Sequence, residues 1–289
     1  MKIIELTVIA DKNCPTSRTY LIYLASIGYR VRKVLLVNFL WKVPEAFRYW
    51  SWLGPHVRSA ITQKQKASEP QFSTEFKKLC DILQDHVEIP IDYFSTFDYS
   101  KYAEEVEATT AINFLDEDFH KKLLKQQTKT FLYTNGGRVP GVLLKNHELT
   151  FIHVHPGVLP DVRGSDGLFW SILVRGRPGA SCFYMDEGID EGKIIHSKEF
   201  RVPSLIGLCS GAEDRYSLLY HALLFAYDPH LRGMVLRDVM QNAAIGDLSK
   251  LRAEPQDFSL GKTYTSMHEG LRNKVIEKIS SCASGKTVD

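Results

Sequence analysis

The chain has 289 residues and a mass of 32.9 kDa, room for one large α/β domain or a domain with a small appendage. Its 44% hydrophobic and 24% charged residues are those of a globular protein and exclude a disordered or collagen-like chain. The 36 basic and 34 acidic side chains nearly cancel, which argues against a broad nucleic-acid surface, and no apolar run reaches the ~20 residues of a membrane helix.

The first residues, Met1-Lys2-Ile3-Ile4-Glu5, lack the basic stretch and apolar core of a secretory signal. The five cysteines (Cys14, Cys80, Cys182, Cys209 and Cys282) form no Cys-x-x-Cys pair, so neither a zinc site nor a disulfide framework is expected. A cytoplasmic protein with free thiols follows. Cys182, in an apolar stretch, is expected to act as a small core residue.

Residues 3–10 are β-branched and apolar and read as a buried strand. The polar turn Asp11-Lys12-Asn13-Cys14-Pro15 follows. Thr16 or Ser17 is expected to cap a helix running to about Ile27, with Gly28 ending it. Residues 29–38 read as a second strand, and β-α-β order predicts a parallel sheet covered by helices. The turn after the first strand lacks the glycines of a dinucleotide cradle, which disfavours NAD. The segment 41–70 carries Trp41, Phe47, Tyr49, Trp50 and Trp52 and reads as an inserted helical piece, either edge packing or a substrate wall.

Further on, the pattern predicts a helix at 76–83, a short strand at 87–93, a short helix at 101–107, and a helix at 116–126 with Leu123 and Leu124 inward. A strand at 130–134, a tight loop at Asn135-Gly136-Gly137 and a strand at 149–155 come next. Beyond residue 200, helices are expected at 215–226 and 264–279, the latter with Leu271, Val275 and Ile279 on one side. Residues 280–289 read as a frayed end. The resulting division is a catalytic domain at 1–200, with 41–70 as an insertion, and a largely helical C-terminal extension at 201–289.

Chemistry concentrates between residues 149 and 200. In the strand Phe151-Ile152-His153-Val154-His155, the two imidazoles are two apart and share a face. Pro156-Gly157 then turns the chain at the carboxyl edge, where α/β sheets bind ligands. Two such histidines also suit a metal, with Asp190 the obvious third ligand. Downstream, Gly188 and Gly192 bracket Ile189-Asp190-Glu191, a loop able to approach a ligand closely. Its carboxylates form either a solvated turn or a partner for histidine.

The run His153-Val154-His155-Pro156-Gly157-Val158-Leu159-Pro160, then Arg163-Gly164, Gly179-Ala180-Ser181 and Asp190-Glu191-Gly192, resembles in order and spacing the 10-formyltetrahydrofolate-dependent formyltransferase family. Its members include glycinamide ribonucleotide, methionyl-tRNA and sugar-amine N-formyltransferases. The resemblance implies a Rossmann-like fold and transfer of a formyl group from 10-formyltetrahydrofolate to an amine. It implies catalytic roles for His155 and Asp190, and for His153 as a second donor to the formyl oxygen. It also implies a folate slot between Gly136, Gly137, Arg138, Val139 and Pro140 on one side and Asp186, Glu187, Gly188 and Ile189 on the other.

Two departures stand out. The family usually carries asparagine at the His153 position, and a frequent family histidine is replaced by Phe183. The first loop lacks the glycines of the ribonucleotide enzymes, and the weakly charged helical tail is unlike the basic barrel of the tRNA enzymes. The expected acceptor is therefore a small-molecule amine, first a nucleotide-linked amino sugar, then an amino acid such as hydroxyornithine. A formyltetrahydrofolate hydrolase and a catalytically altered folate-binding protein are the alternatives. The partners expected are that amine and, through the helical tail, a second copy of the chain, with no resident metal, nucleic acid or membrane.

Overall fold

The computed structural model describes residues 1–11, 14–39, 80, 97–135, 138–202, 205, 215–242 and 248–281. The expectations for 41–70, 76–83, 87–93, Gly136, Gly137 and 280–289 fall wholly or largely outside them.

Among the described residues, seven strands form one sheet in the order β3-β2-β1-β4-β5-β7-β8. These are β1 (Lys2–Ala10), β2 (Tyr29–Phe39), β3 (Ala103–Ala111), β4 (Thr130–Tyr133), β5 (Thr150–His155), β7 (Gly179–Tyr184) and β8 (Ile194–Glu199). The first five run parallel, and β7 and β8 are antiparallel additions. The α/β, mostly parallel expectation holds. Central strands are apolar on both faces because both are covered: Val8, Ile9, Phe131, Leu132, Ile152 and Val154 are buried. Cys182 packs in the same core, where burial pushes its thiol up to about 12.

Helix α1 (Pro15–Ser26) starts two or three residues earlier than expected. Pro15 occupies the first turn and Cys14 the cap position, without a side-chain cap bond. Ser17 instead turns its hydroxyl back onto the Cys14 carbonyl at 2.9 Å. Gly28 closes the turn at φ +85°.

The short helix expected at 101–107 is instead the strand β3. Its Glu-rich composition suits a helix in isolation, but the neighbouring strand β2 supplies cations in register. Lys33 meets Glu105 at 2.8 Å and Glu107 at 2.5 Å, and Arg32 pairs with Glu104. Tertiary pairing overrides a weak local propensity. Against the cost of desolvation, Lys122 and Lys33 hold the Glu107 carboxyl below its ordinary value. Helix α2 (Glu117–Leu124), capped by Asp116, buries Leu123 but leaves Leu124 exposed.

Short helix α3 (Gly141–Leu144) follows β4, and α4 (Gly167–Arg175) follows the small strand β6 (Val162–Gly164). Beyond residue 205, helix α5 (Arg215–Ala222) runs through a π-helical turn (Leu223–Tyr227) into α6 (Asp228–Asn242). Val235, Leu236, Val239 and Met240 of α6 join the core beneath β1, β5 and α1. Strand β9 (Lys262–Tyr264) pairs in parallel with β6. Helix α7 (Glu269–Ser281) then buries Val275 and Ile279, with Leu271 partly covered. No helix among the described residues is long and apolar enough to cross a membrane.

Candidate active site

The carboxyl end of β5 carries His153 and His155, as the two-residue period requires. His155 is buried, and its two nitrogens have different partners. Nε2 lies 3.0 Å from the Val162 carbonyl oxygen, which only accepts, so Nε2 carries the hydrogen. Nδ1 lies 3.3 Å from Asp190 Oδ2, and this nitrogen is left for acid–base work. The close turn after β5 needs Gly157, since a Cβ there would meet His155 Nε2 at 2.7 Å.

Asp190 arrives from the loop between β7 and β8, in the left-handed region at φ +56°. Its Oδ2 also accepts the Gly164 backbone N–H at 2.8 Å. Gln256 braces the loop, donating from Nε2 to the Asp190 and Gly192 carbonyls, both at 2.7 Å. Burial lowers the His155 imidazole from its ordinary value, and the Asp190 charge opposes that.

His153 is only partly covered, between Tyr133 and Phe183. Its Nδ1 donates to the Tyr133 carbonyl at 2.7 Å. Burial pushes the ring down to about 3, with the Arg232 charge acting in the same direction. In the neutral ring Nε2 is therefore a lone pair. This differs from the donor role expected from sequence: the one N–H is spent on Tyr133, and the remaining nitrogen accepts.

The two loops of the expected slot are tied together. Arg138 Nη2 donates to the Glu187 carbonyl at 2.7 Å, and Lys145 pairs with the Glu187 carboxylate at 3.0 Å. Val139 is buried in the core, Pro140 precedes α3, and Asp186 caps the Glu187 N–H at 2.7 Å. Gly188 lies close over the Glu191 side chain, and Ile189 stays 40% exposed beside Asp190. Among the described residues Asn135 Nδ2, at the mouth of this loop, is buried without a hydrogen-bond partner. No group of three metal-ligating side chains occurs among them either.

Sequence reading missed three supports. Ser181 holds the turn after β5, donating to Gly157 O at 2.7 Å and accepting from Leu159 N at 2.9 Å. Gln256 and Arg232 come from distant segments that carry no local motif. Gly164 was visible in the Arg163-Gly164 pair, but its hold on Asp190 was not.

The fold is thus that of an α/β protein with two histidines at the carboxyl edge of its parallel strands, faced by a carboxylate from a later loop. The chain belongs to the formyl transferase family, whose model matches residues 50–205. It is similar to a methionyl-tRNA formyltransferase of Syntrophus aciditrophicus, 39% identical over 90 residues, or 30% of this chain and 26% of that protein. It is also similar to the human cytosolic 10-formyltetrahydrofolate dehydrogenase, 30% identical over 127 residues, covering 44% of this chain and 12% of that one. The chain thus matches well under two thirds of the length of these relatives. Among solved structures, a sugar N-formyltransferase from Shewanella sp. aligns over 90% of this chain and 76% of its own, at 13% identity and a TM-score of 0.45.

Proposed function

We propose that this protein moves a formyl group from 10-formyltetrahydrofolate to a primary amine of a small molecule. The observation that carries the reading is the pair of buried His155 and half-buried Asp190, its carboxylate held by Gly164 N–H, at the carboxyl edge of the sheet. What supports a folate donor here is the pair of loops joined by Arg138 and Glu187, beside the Asn135 amide that has no hydrogen-bond partner among the described residues.

In this reading the donor supplies an activated formyl carbon, and the chain does the rest. His155 keeps Nε2–H on Val162 O, so its Nδ1 lone pair takes up the proton released as the amine attacks, and the Nδ1–H so formed steadies the oxyanion. Asp190 Oδ2 orients that ring and offsets its positive charge until Nδ1–H is passed to the folate nitrogen as its bond to the formyl carbon breaks, giving the formamide and tetrahydrofolate. His153 Nε2 accepts a hydrogen bond from the amine, which aims the amine's own lone pair at the formyl carbon. Donors placed in advance of the developing oxyanion are the main source of acceleration in acyl transfer.

The acceptor we place first is a nucleotide-linked amino sugar. The loop after β1 has no glycine cradle, and beyond residue 215 the described residues are mostly helical, with the short strand β9 between helices. An amino acid such as hydroxyornithine comes second. The test is incubation with 10-formyltetrahydrofolate and a panel of nucleotide amino sugars and amino acids, following tetrahydrofolate and formate. Formylated amine with little formate supports the reading. Formate released without any amine indicates a hydrolase, and donor binding with neither product indicates a binding protein.

A further inference from the structure

Helix α6 carries a buried ion pair that lies beyond residue 205, outside the span matched by the family model. The side chains of Arg232 and Asp228 are 9% and 8% exposed, and Arg232 Nη1 lies 3.3 Å from Asp228 Oδ2. Such a pair is costly to bury and does little for stability that apolar side chains would not do as well. Its position gives it another use. Arg232 Nε donates at 2.7 Å to the carbonyl of Val154, the residue between the two histidines. The parallel ladder from β4 ends at the Tyr133–His153 pair, and one residue later Arg232 takes hold of the strand. Tyr20 on α1 lies against both, its ring 5.7 Å from the guanidinium and its hydroxyl 3.5 Å from the same carbonyl.

We propose that Arg232, paired with Asp228, is a positioning residue that clamps β5 between His153 and His155 and sets a fixed positive charge behind both rings. The proposal rests on the formyl-transfer reading for its use but not for its test. The charged and titratable groups that act on the two rings are Arg232, Asp190, Asp228 and, for His153, His155, with the Tyr133 ring beside His153, while Tyr20, Asp228 and Cys14 act on Arg232 itself. After burial, the Arg232 charge is the largest influence lowering His153. It also lowers His155, where Asp190 opposes it more strongly and Asp228 more weakly. The outcome is two uncharged imidazoles at neutral pH, able to receive an amine as its free base.

The test compares Arg232→Gln/Asp228→Asn, which keeps hydrogen-bonding groups and removes both charges, with Arg232→Lys, which keeps the charge. Imidazole carbon-13 and proton shifts, followed by NMR against pH, report each histidine without turnover. In the double variant His153 is expected to titrate about one pH unit higher than in the parent protein and His155 by less. His230, which faces Arg237 rather than Arg232, serves as the unmoved control. In Arg232→Lys both rings are expected to titrate as in the parent. Unchanged His153 and His155 titrations in a folded double variant overturn the proposal. If the double variant does not fold, Arg232→Lys decides: parental titrations support the fixed charge, and an upward move with the charge retained overturns it. Because the readout is titration, a protein that transfers no formyl group still gives an answer.

Discussion

Gly164 and Asp190, 26 positions apart, are joined by a 2.8 Å bond from a backbone N–H to the carboxylate oxygen that faces His155. The orientation of the site's carboxylate is therefore set partly by main chain, and the main chain is set by a glycine. Gly164 sits at φ +93°, and a Cβ there would run into the Tyr264 carbonyl of the paired strand β9.

Gly164→Ala should therefore cost stability and activity together. Left-handed strain and backbone overlap together amount to about 2–4 kcal/mol. Thermal unfolding is the measurement, and a variant melting with the parent would show that the β6–β9 pairing yields easily.

His155→Ala and Asp190→Asn are expected to lower kcat a hundredfold or more, about 3 kcal/mol, while the fold persists. Asparagine tolerates the left-handed backbone of position 190 and still accepts from Gly164 N–H. Circular dichroism checks the fold. Near-parental turnover in either purified variant would remove these residues from the mechanism.

His153→Asn restores the residue usual in the family and keeps an acceptor oxygen, so measurable activity is expected. His153→Leu, with no acceptor, should lose roughly tenfold more in kcat/KM, about one neutral hydrogen bond. Equal rates in the two would mean that Nε2 touches nothing that matters, and a dead asparagine variant would show a need for the imidazole itself.

Acid should weaken the fold before carboxylates titrate. His230 is buried against Tyr23, and burial, reinforced by the Arg237 charge, pushes it down to about 4. A folded value below the unfolded one means that stability is fully present above about pH 6.5. It is lost as pH falls from there towards 4, at up to about 1.4 kcal/mol per pH unit for one proton. Urea unfolding at pH 7 and pH 5 measures the slope. His230→Phe should lessen the slope by up to about 1.4 kcal/mol per pH unit, the remainder belonging to His153 and His155, and an unchanged slope would place the acid sensitivity elsewhere.

The sequence made the central sheet legible because its strands are apolar on both faces and bounded by turns. It also made the His153/His155 face legible, because a strand has an exact period of two. It misled at 103–107, where three glutamates read as helix until Arg32 and Lys33 of β2 are placed opposite them. It said nothing of Arg232 or Gln256, because neither spacing nor neighbours reveal which distant carbonyl a side chain will reach. The assigned nitrogen of His153 was likewise out of reach: sequence supplies an imidazole, and only the Tyr133 carbonyl decides which of its atoms is free to act.

The pairing of β6 with β9 has a consequence for biosynthesis. Both imidazoles are synthesised long before Lys262–Tyr264, the stretch that lies against Gly164 and so fixes its carboxylate-holding amide. A nascent chain on the ribosome thus carries an unfinished centre until residues 262–264 emerge and dock against β6.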